Sequence, residues 1–180
     1  HSMEDAAQLG KKISKKIYEF IVSEQYKAVF TVSVGAIDAR FALEGYEECR
    51  RKFEFSLRYA KAMGKNSFYS FQQEDYNAFL RKEKIISALR RSIAEQYKGF
   101  NVYYQPIMDC ATETITGAEA LMRFTMDSET GPETISPIEF IPLLEETGLI
   151  VPAGKFALKE AAKTCREIRR YIPNFQMNIN

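Results

Sequence analysis

The alternation of apolar and polar residues divides this chain of 180 residues into two stretches with different patterns. In the first stretch, apolar residues recur at helical spacing over 4–24 and 45–63. Between and after these segments, runs over 28–37 and 67–71 are rich in β-branched or aromatic residues. Apolar residues three or four apart indicate amphipathic helices, and short runs of this composition indicate strands. The order helix, strand, helix, strand predicts part of an α/β sandwich.

The second stretch begins after a polar connector that is predicted over 72–81. An apolar stripe then predicts a helix as far as about Tyr97. Strands are predicted over 100–108 and 114–124, and a loop rich in polar residues, glycine and proline is predicted over 125–135. The second stretch therefore starts with a helix that leads into two neighbouring strands.

Two further helices and a strand are predicted in the remainder of the chain. The first helix begins at Ser136-Pro137, an N-cap serine followed by a first-turn proline, and ends at Gly148. The second helix is predicted over 152–171, and an alternating strand over 175–180. The buried stripe of the second helix is predicted to contain Phe156, Leu158, Ala161, Ala162, Cys165 and Ile168.

Charge and composition exclude several classes of partner. The net charge is +1, which gives no general attraction to a nucleic acid polymer or to an anionic membrane. No stretch approaches the ~18 uninterrupted apolar residues that a membrane-spanning helix needs. The three cysteines are far apart in the sequence, as expected for unpaired thiols in a reducing compartment. We therefore expect the chain to lie in the cytoplasm and to bind any anionic ligand at a local site.

Histidine composition restricts the chemistry further. The only histidine is His1, and the segment 1–3 is interpreted as the remnant of a tag. Catalysis and metal binding by histidine are therefore excluded for this chain. Any metal must be held by oxygen ligands, which favour Mg²⁺ or Mn²⁺.

Glu119 and Arg123 stand within an apolar run that is predicted to be a strand. Because side chains alternate along a strand, both residues lie on the same face, on either side of Leu121. A carboxylate is suited to a divalent cation, and a planar guanidinium is suited to a phosphate. The pattern predicts a site for phosphodiester chemistry. The alternative is a strand end whose two charged side chains face water or pair with each other.

Four motifs between positions 104 and 150 add to this prediction. They are Tyr104-Gln105-Pro106-Ile107, Gly117 through Arg123, Ser136 through Pro142, and Glu145 through Ile150. In this order they resemble the start of an EAL domain, the family of cyclic di-GMP phosphodiesterases. A lone Glu-Ala-Leu tripeptide would carry no such meaning, whereas the ordered set is specific.

The resemblance implies a fold, a ligand and a reaction. EAL domains are variant TIM barrels that bind two Mg²⁺ or Mn²⁺ ions and hydrolyse cyclic di-GMP to the linear dinucleotide. By the same resemblance, Glu119 is a metal ligand, Arg123 contacts the substrate phosphate, and Gln105 and Leu121 are substrate-binding residues. Glu145 matches an acidic position near the site and is a candidate accessory residue.

A second metal ligand is expected on the terminal strand, where the family has an asparagine. Matching Met177 and Ile179 to the alternating apolar positions of the family favours Asn180, and Asn178 is the alternative register. Both asparagines would lie on one face of the strand, so alternation alone does not separate them.

The first stretch resembles the C-terminal half of a GGDEF domain. The residues that carry this resemblance are Thr31 to Gly35 and Ala60 to Asn66. The sequence departs from that family at Phe53-Glu54 and Arg58, where Ala-Asp and Tyr are usual. The family's phosphate-contacting lysine corresponds to Lys61, which is also explained as a solvated residue at a helix end.

The two resemblances predict three segments: 4–71 is the GGDEF-like half, 72–98 a connector and linker helix, and 99–180 the N-terminal part of an EAL domain. The fold class is a partial α/β sandwich joined by a helix to an incomplete TIM-barrel variant. A complete barrel needs roughly 250 residues. We therefore expect a fragment that is itself inactive, from a longer phosphodiesterase.

Two other functions remain open. The longer protein could be a receptor for cyclic di-GMP, or an interaction module, without catalysis. A diguanylate cyclase with a vestigial EAL portion would need an intact signature before residue 4, and the departures at positions 53 and 58 count against it. Dimerisation through the EAL portion is an expectation from the family.

Overall fold

The structure is a computed structural model that describes residues 3–24, 31–64 and 66–179. The chain divides into two compact units, His1–Leu80 and Arg81–Asn180. Both units combine helices with strands, so the predicted mixed α/β class is confirmed. In the described part of the chain, no helix is both long enough and apolar enough to cross a membrane.

The first unit has two short parallel strands and the helices around them. Its elements are α1 (Met3–Ser23), β1 (Val34–Ala36), a 3₁₀ helix (Ala39–Glu44), α2 (Tyr46–Ala62) and β2 (Phe68–Ser70). Both predicted helices are confirmed. The strand predicted over 28–37 is shorter, since pairing with β2 is confined to Val34–Ala36, and residues 28–30 lie outside the described residues.

An aromatic cluster forms the core of the first unit. Phe55 on α2 is 5% exposed and packs against five other rings, including those of Tyr69 and Tyr76. Lys52 is also buried, where its ammonium group pairs with Glu44 and lies over the Phe41 ring. In contrast, the apolar stripe of α1 contains exposed residues, among them Leu9, Ile13 and Phe20.

Helix α3 (Gln73–Ala94) extends through the segment that the sequence predicts as a polar connector. The segment predicted as a polar connector over 72–81 is therefore helical from Gln73 onward, and the predicted start of the helix after it is wrong. The helix begins with acidic residues in its first turn, which favour a helix N-terminus. Tyr76 and Phe79 then lie three residues apart and both contact Phe55, so packing stabilises a turn whose composition is polar.

A four-stranded sheet organises the second unit. Its strands are β3 (Phe100–Asp109), β4 (Thr114–Ser128), β5 (Gly131–Ile135) and β6 (Gln176–Ile179). Strand β4 pairs with β3 and β5 in antiparallel fashion and with β6 in parallel fashion. The predicted loop over 125–135 is instead the tip of a hairpin. Met126 and Ile135 are buried in the core, and Gly131, at φ +115°, turns the chain between the strands.

Helices α4 (Pro137–Glu146) and α5 (Ile150–Ile168) follow the hairpin. Phe140 and Leu144 of α4 are fully buried in a core that also contains Leu89 and Phe124. The buried stripe of α5 differs from the prediction: Leu158 and Ala162 are exposed. The buried positions are Ala153, Ala157 and Ala161. Small residues four apart allow a helix backbone to approach its neighbours closely, which explains the difference.

Candidate functional site

The two faces of β4 have different surroundings. Ala118, Ala120, Phe124 and Met126 point to one face and are at most 6% exposed. Phe124 on that face packs against the ring of Phe140 from α4. The opposite face is called the Glu119 face below. It carries Tyr103 and Gln105 of β3, Glu119, Leu121 and Arg123 of β4, and Gln176 and Asn178 of β6.

Glu119 lies in the middle of a row across three strands. In the strand register, its Cα is paired with that of Gln105 on β3 and with that of Asn178 on β6. Residues directly opposite each other project from the same face of a sheet, with Cβ atoms about 5 Å apart. The fold therefore brings together one carboxylate and two carboxamides, and Asn178 comes from a strand far along the chain from the other two residues.

Arg123 lies two residues beyond Leu121 on the same face. Its Nη1 donates a hydrogen bond to the backbone carbonyl of Met122 at 3.0 Å. Its Cζ atom lies 5.6 Å from the centre of the Tyr103 ring, which is a cation–π contact. Leu121 itself is paired with Tyr103 across the strands. The predicted arrangement, with Glu119 and Arg123 on either side of Leu121, is present in the sheet.

The donor atoms of this row fit a hard divalent cation. The Glu119 carboxylate and the side-chain amide oxygens of Gln105 and Asn178 are oxygen ligands, as Mg²⁺ and Mn²⁺ prefer. Glu119 is half-buried, and it takes part in a further interaction within the structure. Within 3–24, 31–64 and 66–179, no three His, Cys, Asp or Glu side chains lie together as metal ligands. The row is therefore a partial set of ligands.

Two predicted site residues are not part of this row. Asn180 lies outside the described residues, so the choice between Asn180 and Asn178 as the metal ligand stays a prediction. Glu145 is exposed near the end of α4. That helix packs through Phe140 and Leu144 against the face opposite the Glu119 face, so the fold does not bring Glu145 beside Glu119.

Contacts on the helix-covered face hold β3 and α4 in place. The Tyr104 hydroxyl lies 2.9 Å from the Thr164 hydroxyl on α5, so the tyrosine of the Tyr-Gln-Pro-Ile motif fixes the strand that carries Gln105. Ser136 occupies the N-cap position of α4, as predicted. Its backbone carbonyl, at 3.0 Å, accepts a hydrogen bond from the Phe140 amide.

An ion-pair cluster attaches α3 to α4 and β5. The Arg81 guanidinium donates to the Glu139 carboxylate at 3.0 Å and to the Glu133 carboxylate at 2.9 Å. The hydrogen bonding of Arg81 to Glu139 lowers the pKa of Glu139 below its ordinary value, with a smaller opposing effect of burial. Glu139 belongs to the third of the four motifs, and its position indicates a structural role for that motif.

Tyr103 is a member of the site that no sequence motif identifies. Its neighbours Tyr104 and Gln105 belong to a recognised motif, whereas Tyr103 stands just before it. Alternation along β3 places Tyr103 and Gln105 on one face, and the antiparallel pairing with β4 then brings the ring beside Arg123. The register of the two strands was the missing information. Cys49, Cys110 and Cys165 are free thiols, as predicted.

The chain is similar to known proteins over most of its length. Signaling protein YkoW of Bacillus subtilis is 32% identical over 166 residues, which cover 90% of this chain and 20% of YkoW. The bifunctional diguanylate cyclase/cyclic di-GMP phosphodiesterase MucR of Pseudomonas aeruginosa is 28% identical over 171 residues, covering 93% of this chain and 23% of MucR. The cyclic di-GMP phosphodiesterase PdeL of Escherichia coli is 30% identical over 129 residues, covering 71% of this chain and 33% of PdeL.

This chain thus spans a fifth to a third of the length of these relatives. The EAL domain family matches residues 86–180, which is more than half of the chain and includes the whole Glu119 face. On the strength of that match, the chain belongs to the EAL domain family.

Proposed function

We propose that the whole protein that carries this chain is a bacterial cyclic di-GMP signalling protein, and that its EAL domain hydrolyses cyclic di-GMP to the linear dinucleotide. The observation that carries the proposal is the row Gln105, Glu119 and Asn178, with Arg123 on the same face of the sheet. The names of MucR and PdeL, both of which include cyclic di-GMP phosphodiesterase, support the choice of substrate.

Each residue of the Glu119 face has a role in this proposal. Two Mg²⁺ or Mn²⁺ ions, when bound, would activate a water and neutralise charge on the scissile phosphate. Glu119 would hold metal through its carboxylate, together with an asparagine of the last strand, Asn180 or the alternative Asn178. Arg123 would bind phosphate oxygens through its planar fork. Gln105 and Leu121 would line the substrate pocket.

We further propose that 4–71 is the C-terminal half of a GGDEF-like domain, that 72–98 is a linker and that 99–180 is the start of the EAL domain. The similarity to MucR, which extends over 93% of the chain, supports this division. The parallel pair β1 and β2, connected through α2, is compatible with an α/β sandwich. A cytoplasmic location, which the free thiols favour, and a homodimer complete the proposal.

The test is a hydrolysis assay on the whole protein that carries this chain, with Mn²⁺ and cyclic di-GMP. The wild-type protein should form the linear dinucleotide, and Glu119→Gln should lower the rate by a factor on the order of 1,000, because a catalytic metal contributes several kcal/mol. The control is Glu167→Gln, which removes an exposed carboxylate of α5 and should leave the rate unchanged.

The possible results separate the proposed function from its alternative. Wild-type turnover by Glu119→Gln would contradict the assignment of Glu119 as a metal ligand. A wild-type protein that binds cyclic di-GMP and hydrolyses none of it would be a receptor rather than a phosphodiesterase. Absence of both binding and hydrolysis would overturn the proposal.

A further inference from the structure

Tyr103 is an aromatic residue of the Glu119 face without a role in the proposed reaction. It stands on β3 directly opposite Leu121 of β4. Arg123 is two residues further along β4, so Tyr103 and Arg123 are diagonal neighbours on the same face. Diagonal neighbours in a sheet lie within reach of aromatic and long side chains. The strand register therefore fixes this pair.

The contact between the two side chains is specific in its geometry. The Arg123 guanidinium carbon lies 5.6 Å from the centre of the Tyr103 ring, within the distance of a cation–π interaction. The Arg123 Nη1 atom also donates to the Met122 carbonyl at 3.0 Å. A guanidinium has five N–H donors, so this hydrogen bond leaves donors for the oxygens of a phosphate.

Holding an arginine in place favours ligand binding because a free arginine side chain loses about 2 kcal/mol of rotamer entropy when it is fixed. A ring that packs against the guanidinium before the ligand arrives reduces that loss. Tyr103 is 62% exposed in this chain, and its ring lies against the Arg123 guanidinium.

We propose that Tyr103 is a positioning residue, which holds the Arg123 guanidinium ready for the phosphate of cyclic di-GMP. This inference rests on the proposed function, since it assumes that Arg123 binds substrate phosphate. The aromatic ring performs this role, and the phenolic hydroxyl is not needed.

The test compares five variants of the whole protein that carries this chain, in the same hydrolysis assay with Mn²⁺. Tyr103→Leu should raise KM for cyclic di-GMP about 2- to 5-fold, the size expected for an exposed cation–π contact, and change kcat less. Tyr103→Phe keeps the ring and should restore the wild-type KM. Tyr171→Leu, which removes a tyrosine that is 87% exposed elsewhere in the same unit, is the matched control.

The last two variants are Arg123→Ala and the double variant that also carries Tyr103→Leu. Their comparison shows whether Tyr103 acts through Arg123. In an Arg123→Ala background, Tyr103→Leu should have no further effect on KM, since the guanidinium that it positions is absent. An equal rise of KM in both backgrounds would overturn the inference, as would an unchanged KM in Tyr103→Leu alone. If the wild-type protein binds without hydrolysis, the same comparison is made with Kd.

Failure of this inference differs from failure of the proposed function. Active wild-type enzyme with a Tyr103→Leu variant of unchanged KM contradicts the positioning role alone. A wild-type protein that neither binds nor hydrolyses cyclic di-GMP overturns the proposed function and this inference with it.

Discussion

The two faces of the sheet in the second unit differ in role: one face packs against helices in the core, and the other carries the candidate binding residues. On the helix-covered face, the side chains of β4 are alanine, methionine or phenylalanine, and they belong to the core with the helices. On the Glu119 face, the same strand carries a carboxylate, a leucine and a guanidinium. Because successive side chains alternate, one strand serves both faces. A substitution on one face should therefore change stability, and a substitution on the other should change ligand binding.

The largest effect is expected at Phe124 on the helix-covered face. Phe124 is 1% exposed and contacts the rings of Phe100 and Phe140. Phe124→Ala should lower the free energy of unfolding by about 3–5 kcal/mol, since it removes buried apolar surface and leaves a cavity. Urea unfolding of the chain, followed by circular dichroism, measures this change.

The matched variant on the Glu119 face is Tyr103→Ala. Because Tyr103 is 62% exposed, its loss should cost less than about 1 kcal/mol. Equal destabilisation by the two variants would show that the two faces do not differ as described.

Gly117→Ala should change both stability and metal binding, and its effect on stability should be smaller than that of Phe124→Ala. A Cβ atom at Gly117 would lie 2.7 Å from the backbone carbonyl oxygen of Gln176 on β6. The parallel strands would have to move apart, which should cost about 1–3 kcal/mol, as for other overpacked sites. The same movement would shift Asn178 away from Glu119.

Urea unfolding and Mn²⁺ titration of the same Gly117→Ala protein measure both effects. Ala118→Gly, which adds no atom beside β6, is the control for a change in backbone entropy. Unchanged stability and unchanged metal affinity in Gly117→Ala would contradict the register of β4 with β6.

The smallest effect is expected from the ion pair of Arg81 with Glu139. The Arg81 guanidinium lowers the pKa of Glu139 in the folded chain, so the pair stabilises the fold above the ordinary glutamate pKa of about 4.3. That stabilisation should disappear as the pH falls from about 5 through the lowered pKa. Both side chains are partly exposed, so its size should be under about 1 kcal/mol.

The difference in unfolding free energy between wild type and Glu139→Gln, measured from pH 7 down to pH 3, checks this prediction. The difference should shrink toward low pH, and high salt should reduce it at neutral pH. A difference that grows as the pH falls would contradict the assigned direction of the pKa shift.

Much of the site follows from the sequence because it depends on local rules. Alternation along a strand was enough to place Glu119, Leu121 and Arg123 on one face. The pairing with Gln105 depends on the register of the β3–β4 hairpin, and the pairing with Asn178 depends on the register between β4 and β6, a strand far along the chain. No local pattern specifies that register.

The errors in the fold have a similar cause. Polar residues at the start of α3 and at the tip of the β4–β5 hairpin suggested loops. In the structure, Tyr76 packs against Phe55, and Met126 and Ile135 enter the core, so tertiary contacts stabilise regular structure in segments of polar composition. On α5, exposure of Leu158 beside the buried Ala157 shows that close packing can favour alanine over leucine at a buried position.

The measurement that tests the central claim most directly is Mn²⁺ binding to the whole protein that carries this chain, followed by electron paramagnetic resonance. If the Glu119 face holds the metal, Glu119→Gln should weaken Mn²⁺ binding at least about tenfold, the loss that even an outer-shell partner of a metal site causes. The exposed-carboxylate control Glu167→Gln should bind Mn²⁺ as wild type does. Equal Mn²⁺ affinity in Glu119→Gln and wild type would contradict the claim that this face is the functional one.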